Sequence, residues 1–283
     1  MKPRVMSLVL FTCMVGLIIA PNNVSYLNSI LSLIAVALGA GAAGTLNMWY
    51  ESDLDALMTR TCLRPIPTGQ VTKNQALFFG IALSIGSVCL LNYSSNFMSA
   101  SLLLLTICFY FFIYTVWLKR RTPQNIVIGG AAGALPPVIG WTIATGSLTI
   151  EPLILFLIIF LWTPSHFWAL SIYKSDDYKK AKIPMLPIIY GIEKTKKNIF
   201  VYSLLMLPTI SVPYFINFLS EIYFYPALIL TIYYIYLCGA LLKVKKNKEI
   251  NSSARKIFLY SIFYLFVIFL LILLDHFFMR LYG

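Results

Sequence analysis

The chain has 283 residues, of which 59% are hydrophobic and only 11% charged, with a formal net charge of +12. So apolar a composition, with so little charge, excludes an ordinary soluble domain. The basic excess is confined to alternate loops between apolar segments, which excludes nucleic-acid binding and is the pattern of membrane topology.

A bilayer-spanning helix needs about 20 mainly apolar residues. The sequence predicts an all-α polytopic membrane protein of nine transmembrane helices, over residues 5–20, 28–48, 75–91, 97–118, 124–143, 150–172, 198–218, 223–242 and 256–278. The first is short, and Lys2 and Arg4 before it resemble the start of a signal peptide. No small-x-small cleavage site follows Ala20-Pro21, so the segment is read as a retained helix. Gly, Ala and Pro weaken the fifth. Of the 22 Lys and Arg residues, all but Arg280 fall in the N-terminus and the alternate loops. The positive-inside rule therefore expects the N-terminus and those loops in the cytoplasm, with the protein in a bacterial inner membrane. The five cysteines (Cys13, Cys62, Cys89, Cys108, Cys238) have no CxxC spacing and read as apolar filler.

Gly39, Gly41 and Gly44 in the second helix, and Gly129, Gly130 and Gly133 in the fifth, are small enough to let helix backbones approach closely. At the cytoplasmic end of the second helix stands Asn47-Met-Trp-Tyr-Glu51-Ser-Asp53-Leu-Asp55. Asn47, Glu51 and Asp55 are spaced i, i+4, i+8 and share one face of a continued helix, whereas Asp53 points elsewhere. Ionisable groups near a span are costly on insertion scales, at about 2.5–3.5 kcal/mol each at mid-bilayer. Oxygen donors clustered at one helix end suit Mg²⁺, which takes one or two carboxylates plus substrate phosphates. A solvated acidic helix cap is the alternative.

Arg60 and Arg64 follow, in a pattern suited to a carboxylate or phosphate, although positive-inside charge alone also places arginines there. The loop after the fourth helix carries Tyr114, then Lys119, Arg120 and Arg121. After the sixth helix come Lys174, Asp176 and Asp177, either a second acidic site or a solvated loop. His166, within Trp162-Thr-Pro-Ser-His166-Phe-Trp168, is either a heme-iron ligand or a hydrogen-bonding group to a neighbouring helix. The long loops 49–74 and 173–197 both run from acid through Pro and Gly to Lys. This hints that the single transmembrane domain, residues 1–283, contains a duplicated four-helix unit with motifs at 47–65 and 173–187.

Three stretches carry a resemblance. NMWYESDLDALMTRTCLRP (Asn47 to Pro65), YTVWLKRRTPQNIVIGGAAGALPPVIGW (Tyr114 to Trp141) and LWTPSHFWALSIYKSDDYKKAKIPMLP (Leu161 to Pro187) resemble the hallmarks of the heme O synthase branch of the UbiA-type intramembrane prenyltransferases. The similarity runs from Lys2 to about residue 197; beyond it only hydropathy matches. Two departures from the wider superfamily are Glu51, where Asp is common, and Ala181, which leaves Asp177 without a second acid four residues on.

The resemblance implies that farnesyl diphosphate ionises with the help of Mg²⁺ and that a vinyl group of heme B, then water, captures the allylic cation. It assigns Asn47, Glu51 and Asp55 to one Mg²⁺ and Asp177 to another. Lys119, Arg120 and Lys174 would grip diphosphate, and Arg60 and Arg64 either diphosphate or the heme propionates. His166 and Tyr114 would contact heme. Expected partners are farnesyl diphosphate, heme B, the lipid bilayer and a heme A synthase or terminal oxidase that receives the product. The competing readings are a prenyltransferase for an aromatic acid, a transporter and a non-enzymatic heme-binding subunit. A transporter should carry polar residues near mid-membrane in several helices, whereas here they gather at one face.

Overall fold

A computed structural model describes residues 3–59 and 61–282. Among these residues every regular element is helical: α1 (Pro3–Ile18), α2 (Tyr26–Tyr50), α3 (Ser52–Leu57), α4 (Lys73–Ser94), α5 (Phe97–Cys108), α6 (Asn125–Ala134), α7 (Pro136–Thr145), α8 (Ile150–Tyr173), α9 (Ser175–Lys180), α10 (Leu186–Ile189), α11 (Gly191–Phe215), α12 (Glu221–Lys243) and α13 (Asn247–Tyr282). A π-helical segment, Phe109–Leu118, continues α5. Eight helical spans are long and apolar enough to cross a membrane, and α1 adds a shorter apolar helix. Exposed Phe78, Ile85, Leu105, Ile229 and Phe263 suit helices whose outer surface meets lipid. The protein is a multi-pass membrane protein.

The expected fifth span is two helices in sequence, because Pro136 and Pro137 open α7 and remove the amide donors that would continue α6. The last span starts at Asn247, nine residues before the apolar run, since the polar stretch Asn247–Arg255 is helical as well.

The chain divides into two units, one of residues up to Leu148 with Asp176–Ile183, the other of Thr149–Ser175 with the residues from Pro184 on. In the first unit α1 packs on α7 and α2 on α4. Two glycines set the closest crossing. A Cβ on Gly140 would lie 1.9 Å from the Cys13 carbonyl oxygen, and one on Gly16 would lie 2.1 Å from the Pro137 carbonyl oxygen. Gly39 of α2 abuts Leu103 of α5, and Gly80 of α4 abuts Leu46 of α2. Cys13, Leu17, Val36, Leu103, Ile139 and Ile143 meet in the core beside these contacts. Helix α2 also contacts the π-helical segment, and Leu46, one residue before Asn47, is the α2 side chain packed on α4 at Gly80.

The second unit packs α8 against α11 and α13, and α12 against both α11 and α13. Hydrogen bonds between side chains tie these apolar helices together: Ser165 to Tyr234 at 2.7 Å and Thr231 to Tyr264 at 2.9 Å. Buried Lys196 donates to Glu193 at 2.7 Å and to the Val244 carbonyl at 2.6 Å, which closes the C-terminal end of α12. Buried Asp275 accepts from the amides of Ser220 and Tyr223 and so caps the N-terminal end of that helix.

Candidate active site

The first unit gathers its acids where α2 ends. Helix α2 closes at Tyr50, and Glu51 (φ −98°, ψ 14°) joins it to α3. The bend is slight, because Glu51 N–H still donates to the Asn47 carbonyl at 3.0 Å and Asp55 N–H to the Glu51 carbonyl at 2.8 Å. Asn47, Glu51 and Asp55 therefore stay on successive turns, as their spacing predicts, and each is only 1% exposed.

Each carboxylate has one oxygen held and one without a donor. Glu51 Oε2 accepts from Asn47 Nδ2 at 2.9 Å and from Lys119 Nζ at 2.5 Å. Asp55 Oδ2 accepts from Arg64 Nη1 at 2.6 Å. Glu51 Oε1 and Asp55 Oδ1 are buried and accept no hydrogen bond from any described residue. A buried carboxylate oxygen left in this way costs about 1–3 kcal/mol or more, so a further partner is expected on it.

A divalent cation fits that partner. The donors are hard oxygens, two of them anionic, which is Mg²⁺ chemistry when substrate oxygens and water complete the shell. Among the described residues no three His, Cys, Asp or Glu side chains converge, so the protein offers a partial shell and not a full cage.

Asp53 faces away from this cluster, as expected, and lies in a two-point pair with Arg120 at 2.9 and 3.1 Å. Partial burial alone would raise its carboxyl pKa. The hydrogen bonds from Arg120 and the backbone, with the Arg120 charge, outweigh that and hold it below the ordinary value. The Arg120 guanidinium also lies 5.1 Å over the Tyr50 ring. Three of the cations read as anion grips thus carry a carboxylate partner: Lys119 on Glu51, Arg120 on Asp53 and Arg64 on Asp55. An ammonium has three N–H groups and a guanidinium five, so each retains donors for a second anion.

Asp177 accepts from Thr59 Oγ1 at 2.9 Å, which joins the second acidic motif to the loop that follows Asp55. Arg60 lies outside the described residues. Tyr114 packs its ring on Gly129 of α6, where a Cβ would come within 2.2 Å, and its ring lies tilted beside that of Tyr110, 5.3 Å between centroids.

Sequence reasoning missed Thr115, fully buried in the π-helical segment, which accepts from Asn47 Nδ2 at 3.1 Å. The single non-aromatic hydroxyl in the run Phe109–Leu118 was the available signal, since a polar side chain inside a span needs a partner.

In the second unit, Lys174 Nζ lies 4.7 Å over the Tyr173 ring. His166 stacks between Trp162 and Phe258 at 4.3 and 4.7 Å, and its Nδ1 lies 2.6 Å from Ser261 Oγ. The Ser261 hydroxyl proton goes to the Phe258 carbonyl at 2.7 Å. The bond to His166 must then be donated by Nδ1–H, which leaves the lone pair of a neutral imidazole on Nε2. The hydrogen bond to a neighbouring helix is present, and its direction leaves Nε2 as the acceptor nitrogen of the ring.

The helical membrane bundle, with its half-partnered acid pair and adjoining cations at a helix end, falls in the class of the prenyltransferases. The sequence profile described as the UbiA prenyltransferase family matches residues 9–275. A protoheme IX farnesyltransferase of Pelagibacter ubique (strain HTCC1062) is 67% identical over 275 residues, 97% of this chain and 91% of that one. A namesake from Parvibaculum lavamentivorans is 48% identical over 97% of this chain and 86% of its own. The chain belongs to the UbiA prenyltransferase family, in its protoheme IX farnesyltransferase branch.

The likeness runs past residue 197, where the recognisable motifs end. Solved structures share the fold. A digeranylgeranylglyceryl phosphate synthase superposes with a TM-score of 0.78 at 20% identity, covering 95% of this chain and 92% of that one. A UbiA homolog from Archaeoglobus fulgidus bound to GPP and Mg²⁺ gives 0.67 at 18%, with 94% and 96% covered.

Proposed function

We propose that this protein transfers the farnesyl group of farnesyl diphosphate to a vinyl group of heme B, with addition of water, to give heme O and diphosphate. The observation that carries the reading is the pair of orphaned carboxylate oxygens, Glu51 Oε1 and Asp55 Oδ1, in a chain 67% identical to a protoheme IX farnesyltransferase. The whole chain acts as one transmembrane catalytic domain.

The C1–O bond of farnesyl diphosphate breaks and its electron pair leaves with diphosphate. The vinyl group supplies the pair for the new carbon–carbon bond, and water adds to the resulting cation and gives up a proton. Mg²⁺ held by Glu51, Asp55 and Asn47 would neutralise charge on the departing diphosphate. Lys119, Arg120 and Lys174 bind the remaining diphosphate oxygens through their spare N–H groups. Arg64 and Arg60 hold either diphosphate or the heme propionates. Asp177 is the candidate ligand of a second Mg²⁺, tethered by Thr59. Tyr114 and His166 are the candidate heme contacts, His166 through the Nε2 lone pair that its hydrogen bond to Ser261 leaves over. The surrounding apolar helices would exclude the water that otherwise consumes the allylic cation early.

The positive-inside pattern supports an N-terminus and acidic motifs at the cytoplasmic face of a bacterial inner membrane. A heme A synthase or a terminal oxidase is the recipient of the product.

The test is direct. Purified protein in detergent is incubated with heme B, farnesyl diphosphate and Mg²⁺, and the heme is analysed by mass spectrometry. A heme heavier by a farnesyl group plus a hydroxyl, absent when EDTA is added, is the expected product. Unmodified heme together with prenylation of an added aromatic acid would move the protein to another branch of the family.

A further inference from the structure

The π-helical segment brings one hydroxyl to the acid cluster, and the direction of each hydrogen bond around it is determined. Thr115 Oγ1 gives its single proton to the Tyr110 carbonyl, five residues back, at 2.8 Å. It can therefore only accept from Asn47 Nδ2, at 3.1 Å. The same Asn47 amide nitrogen donates to Glu51 Oε2 at 2.9 Å. Both amide hydrogens are spent, on acceptors from two different helices, so the plane of the amide is fixed. Glu51 Oε2 is thereby held from one side by Asn47 and from the other by Lys119. Lys119 belongs to the same device, because its backbone N–H bonds to the Tyr114 carbonyl five residues back, closing the last wide turn. All four side chains but Lys119 are 1% exposed or less, so water does not compete for these bonds.

We propose that Thr115 is a positioning residue: through Asn47 it sets the rotation of the Glu51 carboxylate and so the direction in which Oε1 meets the cation. The proposal rests on the Mg²⁺ reading given above. Wide turns of this kind are uncommon and recur where a helix must present a group that α-geometry would turn away. Here the group presented is the hydroxyl. An α-helical Thr would return its proton to a carbonyl three or four residues back.

The experiment uses the full chain in detergent, with Mn²⁺ in place of Mg²⁺ and an unreactive thiolo analogue of farnesyl diphosphate. Bound Mn²⁺ is read by electron paramagnetic resonance, and thermal unfolding is followed without metal. Thr115→Val is expected to weaken Mn²⁺ binding about 10-fold, the scale of outer-shell partners of metal ligands. Thr115→Ser, which keeps the hydroxyl, should retain wild-type affinity. In an Asn47→Ala background the valine substitution should change nothing further, since the path from Thr115 to Glu51 is already cut.

Wild-type affinity in Thr115→Val overturns the positioning role, and so does a Thr115→Ser protein as weak as the valine variant. A full additional loss in the Asn47→Ala background overturns it too, because Thr115 would then act by another route. A wild-type protein that binds no Mn²⁺ overturns the metal reading and this proposal with it. If the valine variant is not recovered folded, Thr115→Ala makes the same comparison.

Discussion

Arg64 holds Asp55 by one oxygen and leaves the other bare: Nη1 donates to Oδ2 at 2.6 Å, while Oδ1 lies buried without a donor. The pair is asymmetric in burial, with Arg64 20% exposed and Asp55 1%. Asp55→Asn should therefore fold well, because the freed guanidinium reaches water, yet turnover should fall by about 100-fold or more as a charge-stabilising group is lost. Arg64→Ala should behave in the opposite way toward folding. It leaves a buried carboxylate unpaired and should cost about 3 kcal/mol, the lower end for breaking such pairs. Thermal unfolding beside the heme O assay separates the two effects, and normal turnover in a folded Asp55→Asn protein would remove Asp55 from the metal site.

Asp53 is the internal control. Its pair with Arg120 lies at the surface, where an ion pair is worth under about 1 kcal/mol. The folded carboxyl lies below its unfolded value, so the pair's contribution is complete above about pH 4 and is lost only as acid protonates Asp53 below that. Asp53→Asn should accordingly leave both stability and its profile from pH 5 to 8 nearly unchanged, and should reduce turnover far less than Asp55→Asn. A loss equal to that of Asp55→Asn would place Asp53 among the reacting groups.

The spans and the acid face were legible because each depends on spacing along one helix. Hydropathy marks a run near 20 residues, and i, i+4, i+8 aligns Asn47, Glu51 and Asp55 whatever packs around them. Contacts between helices were not legible. Lys119 and Glu51 are 68 residues apart, and nothing in LKRR says which acid the lysine meets. The π-turn was hidden for a different reason: FYFFIYTVWL is equally apolar whether its bonds span four residues or five.

Glycine packing shows the same divide. The stripes in α2 and α6 suggested close approach, and Gly39 and Gly129 make it, but Gly133 has nothing within 4 Å and the tightest crossing belongs to Gly16 and Gly140. A methyl on Gly140 meets the Cys13 carbonyl at 1.9 Å, a backbone atom that cannot rotate aside. Gly140→Ala should force α1 from α7 and cost about 1–3 kcal/mol or more, despite alanine's better helix propensity. At Gly133 the propensity gain is unopposed, so Gly133→Ala should be neutral or slightly stabilising. Unfolding midpoints in one detergent decide it; equal midpoints would mean that α1 and α7 separate freely.

His166 calls for a substitution that divides packing from ligation. Its ring fills the space between Trp162 and Phe258, and its Nδ1–H is donated to Ser261, so removing the ring would confuse a lost stack with a lost ligand. His166→Phe keeps a flat ring in the stack and removes both nitrogens. If Nε2 orients heme, titration of heme B into the phenylalanine variant should give an affinity lower by about 10-fold or more, with an altered heme spectrum. Ser261→Ala should lie between the two, because it leaves Nε2 in place but strands a buried N–H, at about 1–3 kcal/mol, and frees the other tautomer. Unchanged affinity in His166→Phe would leave the histidine a packing role alone, since the stack survives and only the nitrogens are gone.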